Sequence, residues 1–331
     1  MINKDVTQYF DKVFEAIEAY QKAQNSTYHG AALMVLKDIN AGEATAIDQE
    51  DVKQKIQAAV DLDWQKLDFS ARRHVLQLIL LKIDRMDKVE PNLQLTPDGI
   101  GYLLGDLIYQ TADWTGQGSL LDLTVGTGNL LWTVEEVLLS HKLDPDRYGF
   151  DNSDEQLALA TVSDDLLNEK PSDFYQADVL TVPKDEIPAA DVVLADLPVG
   201  YYPGQPDGDY MTASAEANKS FAHYVMIEKA FDLVQPKGWL YFIVPANLLD
   251  GEESQKMLKF ITNRARLKAF MRLPADYFKN AAAAKAVLVL QPKEASQQGE
   301  VLMGQYPSLK DPKGFEEFLQ EIKRWVKLEK E

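Results

Sequence analysis

Apolar residues recur at helical spacing from Asp5 to about Met86: Val6, Phe10, Val13, Ile17 and Tyr20, then Val52, Ile56 and Val60, then Val75, Leu78, Ile79 and Ile83. That period puts each set on one helix face and predicts a helical N-terminal domain over residues 1–92. Asn25-Ser26 and Asn40-Ala41-Gly42 interrupt the pattern, and Ser70 is the expected N-cap of a helix over 71–86. Thr96 followed by Pro97 is expected to cap the next helix, where Ile100, Leu103, Leu104 and Leu107 share a face.

After Ser119 the pattern changes. Short β-rich runs at 120–125, 148–151, 191–196, 239–244, 267–273 and 286–290 alternate with helical stretches at 129–140, 153–168, 218–234 and 252–263, and a last helix is expected over 314–328. Such alternation predicts an α/β domain over residues 93–331, built on a doubly wound parallel sheet that binds ligands beyond the carboxyl ends of its strands. The chain has no internal repeat, and its one low-complexity tract is 281–284.

Composition narrows the chemistry. The 331 residues carry 34 basic and 52 acidic side chains, a net −18, which excludes a surface that coats nucleic acid throughout. The absence of cysteine removes disulfides, thiolate nucleophiles and Cys-ligated metal sites. His29, His74, His141 and His223 are too scattered to pair as metal ligands on one helix, so no metal is expected. The N-terminus lacks a secretory pattern, and no apolar run reaches the roughly 18 residues of a membrane helix, so a cytoplasmic chain without membrane contact is expected. Residues 91–235 hold 6 basic and 25 acidic side chains, whereas Lys256, Lys259, Arg264, Arg266, Lys268 and Arg272 occupy a stretch with no acid. That stretch is either a solvated face or a weak phosphate contact through Lys256, Arg264, Arg266, Lys268 and Arg272.

The strongest local signal is Leu121-Asp122-Leu123-Thr124-Val125-Gly126-Thr127-Gly128-Asn129-Leu130, a strand running through a glycine turn into a helix. Glycines there let backbone approach a ligand, and the helix start offers amides to it. A dinucleotide fingerprint would place its third glycine at 131, which is leucine. Carboxylates recur where strands end: Asp151 after Arg147-Tyr148-Gly149-Phe150, Asp178 after Phe174-Tyr175-Gln176-Ala177, and Asp196 after Asp191-Val192-Val193-Leu194-Ala195. An acid in the second position can accept ribose hydroxyls; each can also be a simple helix cap.

These residues resemble the first motifs of class I S-adenosylmethionine-dependent methyltransferases. Within that group the chain is most similar to adenine-specific DNA methyltransferases, notably modification subunits of type I restriction systems and their small bacterial relatives. Leu95-Thr96-Pro97, Gly238-Trp239-Leu240-Tyr241-Phe242-Ile243-Val244-Pro245 and Leu273-Pro274-Ala275-Asp276-Tyr277-Phe278 extend the resemblance over about 95–290. It implies a seven-stranded Rossmann-like sheet behind a helical domain, with S-adenosylmethionine as cofactor. Gly126 and Gly128 would line its methionine part, Asp122 would support the turn, Asp151 would hold the ribose and Asp178 the adenine amine. Thr96 and Pro97 would close the methionine end, with Thr124, Asn129, Asn152, Val179 and Asp196 completing the cofactor's surroundings.

Asp196-Leu197-Pro198-Val199 stands where the family has Asn or Asp, two prolines and an aromatic. A side-chain oxygen and the following carbonyl can hold an amine with its lone pair aimed at a methyl donor. The resemblance therefore implies Asp196 and Pro198 as catalytic positions, with Tyr201, or Tyr202, supplying the ring that Val199 lacks. His223, in Ser220-Phe221-Ala222-His223-Tyr224, is a packing or capping residue on one reading and a substrate contact on the other. About 40 residues follow Leu290, too few for a target-recognition domain, so target recognition by a protein partner is expected. The implied reaction is methylation of the exocyclic amine of adenine in nucleic acid. A catalytically silent cofactor- or protein-binding module is the alternative, and an NAD-dependent oxidoreductase is a third.

Overall fold

Helices α1 (Lys4–Gln24), α2 (Tyr28–Ala41), α3 (Glu50–Val60) and α4 (Phe69–Asp87) form where the apolar period predicts helices. Their inward faces, including Val13, Ile17, Leu36, Ile56, Leu76 and Ile79, are buried in one cluster. The cap of α4 is Asp68, whose carboxylate accepts the Ala71 amide at 2.8 Å, and not Ser70, whose hydroxyl lies 3.5 Å from His74 Nδ1. Both residue types cap well, and the chain turns one residue before Phe69, which decides between them. The computed structural model describes residues 4–114, 117–187, 189–251, 254–274, 278, 283–293, 299–308 and 310–330. Positions 252–253 of the expected fourth α/β helix, 275–277 of the expected Leu273–Phe278 motif and 281–282 of the low-complexity tract lie outside the described residues.

Among the described residues six further α-helices and eight strands follow. The helices are α5 (Asp98–Thr111), α6 (Asn129–Ser140), α7 (Asp154–Leu167), α8 (Ala222–Leu233), α9 (Ser254–Arg264) and α10 (Pro312–Lys330). The strands are β1 (Ser119–Asp122), β2 (Asp146–Asp151), β3 (Asp173–Gln176), β4 (Ala190–Asp196), β5 (Val234–Pro245), β6 (Ala265–Arg272), β7 (Lys285–Pro292) and β8 (Leu302–Gln305). Helix α8 starts four residues later than expected because Asn218 has φ 59°, left-handed backbone that a right-handed helix cannot include.

The chain is α/β, with sheet order β3-β2-β1-β4-β5-β7-β6-β8. Among the described residues eight strands stand where the resemblance implied seven. Strand β8 escaped the sequence reading because it has four residues and one buried side chain, too short for a periodic signal. The sheet is also not wholly parallel: β7 runs antiparallel to both β5 and β6, while β1, β4 and β5 are parallel. Strands such as β4 and β7 are buried in near-continuous runs, a pattern that reports two covered faces and says nothing about direction.

Two compact units result. Residues up to Asp98, with Val125–Glu136 and Gly149–Gln176, form the first; Gly99–Thr124, Val137–Tyr148 and the residues from Ala177 onward form the second. In the first unit, α7 packs on α2 and α4, and Trp132 of α6 joins their core while its Nε1 donates to Asp164 at 3.0 Å. Among the described residues no helix is long and apolar enough to cross a membrane.

Candidate active site

In the first unit the glycine turn is fastened by Asp151. Its Oδ2 accepts the Gly126 amide at 2.9 Å, and its Oδ1 accepts the Ser153 amide at 2.8 Å. Burial pushes the Asp151 carboxyl above the usual carboxylate range, against the lowering effect of hydrogen bonds from the Ser153, Gly126 and Asn152 backbones. A carboxylate offers about four lone-pair sites, so capacity remains for a ribose hydroxyl. The turn closes further through Val125 N–H to Phe150 O and Gly128 N–H to Val125 O, each at 2.8 Å.

The two glycines differ in what they permit. Gly126 has φ 54°, and a Cβ there would meet nothing nearer than Gln156 Oε1 at 3.8 Å, so its exposed side admits a ligand. Gly128 has φ 95°, and a Cβ would fall 2.4 Å from the Trp132 indole, so this glycine serves the protein's own packing. Leu131, in place of a third glycine, is fully buried, and close approach is supplied by Gly149, whose Cβ would lie 2.9 Å from Phe174 and Val125.

Asn129 follows, at the first position of α6. Its Nδ2 donates to Thr96 O at 2.9 Å and to Asp98 Oδ1 at 3.1 Å, so both hydrogens of the amide are used and its orientation is set. Oδ1 is buried and has no hydrogen-bond partner among the described residues. Pro97 and Asn152 are exposed, and Thr96 is buried. A buried orphan acceptor beside a glycine turn suits a ligand that brings a donor, as the α-ammonium of S-adenosylmethionine would.

The second unit holds the other candidates. Buried Asp122 accepts the Thr124 amide at 3.0 Å, and Thr124 Oγ1 donates to the Asp196 carbonyl at 3.2 Å. Asp196 closes β4, and its Oδ1 lies 2.5 Å from Lys285 Nζ at the start of β7. Leu197 is buried and donates its N–H to Ile243 O at 3.1 Å, so it holds the loop by packing where the family uses proline. A His223 ring N–H donates to the Pro198 carbonyl; burial pushes that imidazole's pKa down to about 4, and the hydrogen bond opposes the shift. His223 is thus a neutral support beneath the loop.

Asp178 does not end a strand; it caps the short 3₁₀ turn Val179–Thr181. Its Oδ1 accepts Leu180 N–H at 3.0 Å and its Oδ2 accepts Tyr202 O–H at 2.7 Å. Burial, then the Asp178 contact, pushes the Tyr202 phenol up to about 12. Val199 is 45% and Tyr201 58% exposed, and the Tyr201 ring stacks on Phe221 at 4.8 Å between centroids. The chain thus offers a ring two residues beyond the position where the family carries one.

The basic stretch is not one phosphate-facing stripe. Lys268 is 3% exposed and pairs with Glu329 of α10, because β6 shifts register between Leu267 and Ala269 and re-aims that side chain. Arg272 pairs with Asp250 at 3.1 Å, and Lys256 donates to Ala213 O at 3.0 Å. Lys259 and Arg264 are exposed on α9. The sequence gives Lys285 a single signal, a lone cation heading a strand whose next five residues are apolar.

Comparison with known proteins adds four findings. The profile of the N-6 DNA methylase family matches residues 94–321. The uncharacterized protein YtxK of Bacillus subtilis is 32% identical over 273 residues, 80% of this chain and 81% of that one. A Listeria monocytogenes protein assigned to the class I S-adenosylmethionine-dependent methyltransferases superposes with a TM-score of 0.86 at 28% identity, over 98% of this chain and all of the other. A type I restriction-modification methyltransferase subunit from Streptococcus thermophilus shares the fold, with a TM-score of 0.65 at 15% identity over 98% of this chain and 75% of that one.

Proposed function

Since the chain belongs to the N-6 DNA methylase family, it is an S-adenosylmethionine-dependent methyltransferase, and we propose that it methylates a planar amine of the adenine type. The observation that carries the reading of the acceptor is Asp196 at the end of β4, a carboxylate followed directly by the Leu197 carbonyl. Two acceptors so placed take both hydrogens of a planar amine and leave its lone pair free to attack.

The first unit's residues fit the cofactor. Gly126 would admit its amino-acid part, Asn129 Oδ1 would accept the ammonium, and Asp151 would take a ribose hydroxyl in its remaining lone-pair site. Thr96 supports this by fixing the Asn129 amide through its carbonyl. When bound, S-adenosylmethionine supplies an electrophilic methyl group on a sulfonium. In the second unit Lys285 and Thr124 orient Asp196, His223 supports Pro198, and Tyr201 offers a face on which a planar acceptor stacks. Nucleic acid or a protein partner would present that acceptor.

The Lys285–Asp196 pair favours one second reading, a cofactor-binding module without turnover, because the carboxylate is already occupied. Incubation with methyl-labelled S-adenosylmethionine and panels of single-stranded DNA, duplex DNA, RNA and protein separates the two. Label transferred to an adenine-containing oligonucleotide supports the methyltransferase reading of the acceptor. Calorimetric cofactor binding without transfer to any panel supports the silent module.

A further inference from the structure

Arg73 of α4 is fully buried, and a guanidinium out of water must be paired. Its partners come from two other helices: Nη2 lies 2.8 Å from Asp98 Oδ2 at the start of α5, Nε lies 2.5 Å from Glu136 Oε2 and Nη1 lies 3.3 Å from Thr133 Oγ1, both on α6. The family profile begins at residue 94, so Arg73 lies ahead of it.

Asp98 relays this contact onward. One oxygen takes Arg73, and the other, Oδ1, takes Asn129 Nδ2 at 3.1 Å. A second path runs through the hydroxyl of Thr133, which receives Arg73 Nη1 and donates to the Asn129 carbonyl at 2.7 Å. Arg73 therefore grips both the side chain and the backbone of Asn129, whose Oδ1 is the buried acceptor without a partner among the described residues. Glu136 alone would neutralise the charge; the Asp98 contact satisfies a further N–H of the guanidinium and is the one that reaches the Asn129 side chain.

We infer that Arg73 is a positioning residue for the methionine end of the cofactor, acting through Asp98 to keep Asn129 Oδ1 turned toward the α-ammonium. The inference rests on the S-adenosylmethionine reading above. It makes the N-terminal helices part of the cofactor site and gives Asp98 a role in ligand orientation. If Asp98 is no longer held, the Asn129 amide can turn over and present its NH₂ to a cation.

The test compares two ligands, S-adenosylhomocysteine and 5′-methylthioadenosine, which lacks the amino-acid part. Arg73→Lys keeps the charge but cannot span Asp98, Glu136 and Thr133 together. Asp98→Asn keeps an acceptor for Arg73 while turning an N–H toward Asn129. By calorimetry, both variants should bind S-adenosylhomocysteine about tenfold more weakly or worse, with methylthioadenosine affinity changed less than about twofold. Asp98→Asn, at a partly exposed carboxylate, decides alone if Arg73→Lys does not fold. An unchanged S-adenosylhomocysteine constant, or equal losses for both ligands, overturns the inference. Wild-type protein that binds neither ligand overturns the cofactor reading itself, and the inference with it.

Discussion

Lys285 and Asp196, 89 residues apart, meet at 2.5 Å where the start of β7 reaches the end of β4. Asp196→Ala should leave S-adenosylmethionine affinity within about twofold and lower methyl transfer by about 100-fold, the pattern of a lost reaction-geometry contact. Lys285→Ala should lower transfer by about tenfold through a loosened carboxylate, and stability by about 1 kcal/mol, as suits a partly exposed ion pair. Labelled-methyl assays and urea titration give the two numbers. A rise in transfer for Lys285→Ala would instead mark the pair as inhibitory.

The Asp151 contact with Gly126 ties cofactor affinity to the integrity of the turn. Asp151→Ala should weaken S-adenosylmethionine binding by about 1–3 kcal/mol and destabilise the ligand-free protein by a similar amount, because the Gly126, Asn152 and Ser153 amides lose their acceptor. Asp151→Asn should retain part of both. Calorimetry alongside denaturation checks the coupling; full stability with lost binding would separate the two roles.

Gly128→Ala should destabilise the protein by about 2–4 kcal/mol, from left-handed backbone and the collision with Trp132. Gly126→Ala, with open space around it, should cost only about 1 kcal/mol of backbone strain. Melting temperatures of the pair test that ordering, and equal losses would contradict it.

His29 joins α2 to α4 through two carboxylates, Nε2 to Asp84 at 2.9 Å and Nδ1 to Asp87 at 2.7 Å. Burial alone would lower its pKa, but hydrogen bonds and charge from Asp84 and Asp87 outweigh it and raise the value above 6.5. The folded state therefore holds the proton more tightly than the unfolded one. This contribution is fully present below the unfolded value and is lost as pH rises through the raised folded value. Asp87, held below its usual range against burial by the Tyr28 and His29 contacts, contributes above its unfolded value and loses that as pH falls through its folded one. Unfolding free energy measured from pH 6 upward should fall for wild type and fall less for His29→Gln.

Lys268→Met should destabilise by about 3–5 kcal/mol, because it strands the Glu329 carboxylate in the interior. Any nucleic-acid affinity should keep its salt slope, since Lys268 does not face solvent. Neutralising exposed Lys259 and Arg264 together is the contrasting variant, expected to flatten that slope with little loss of stability.

Helix α6 was expected at 129–140 and forms at Asn129–Ser140; β4 was expected at 191–196 and forms at Ala190–Asp196. The glycine turn and the acids at 151 and 196 were legible for the same reason, since apolar period, turn residues and residues at strand ends are properties of short stretches of chain. Such signals act over a few residues, and they specify where elements begin and which face they bury.

Partnership is different in kind. Lys285 meets Asp196, Tyr202 meets Asp178, and Arg73 reaches Asn129 through Asp98 because elements distant in the chain converge, and no local pattern encodes which side chains then face one another. Lys268 looked like its solvated neighbours until a register shift in β6 turned it toward Glu329. The antiparallel entry of β7 was hidden likewise, because a strand buried on both faces reads the same in either direction. Burial of a charge, the orientation of an amide and the direction of a strand are settled only when the surrounding surfaces close, since each depends on the free energy of groups that arrive from elsewhere in the chain.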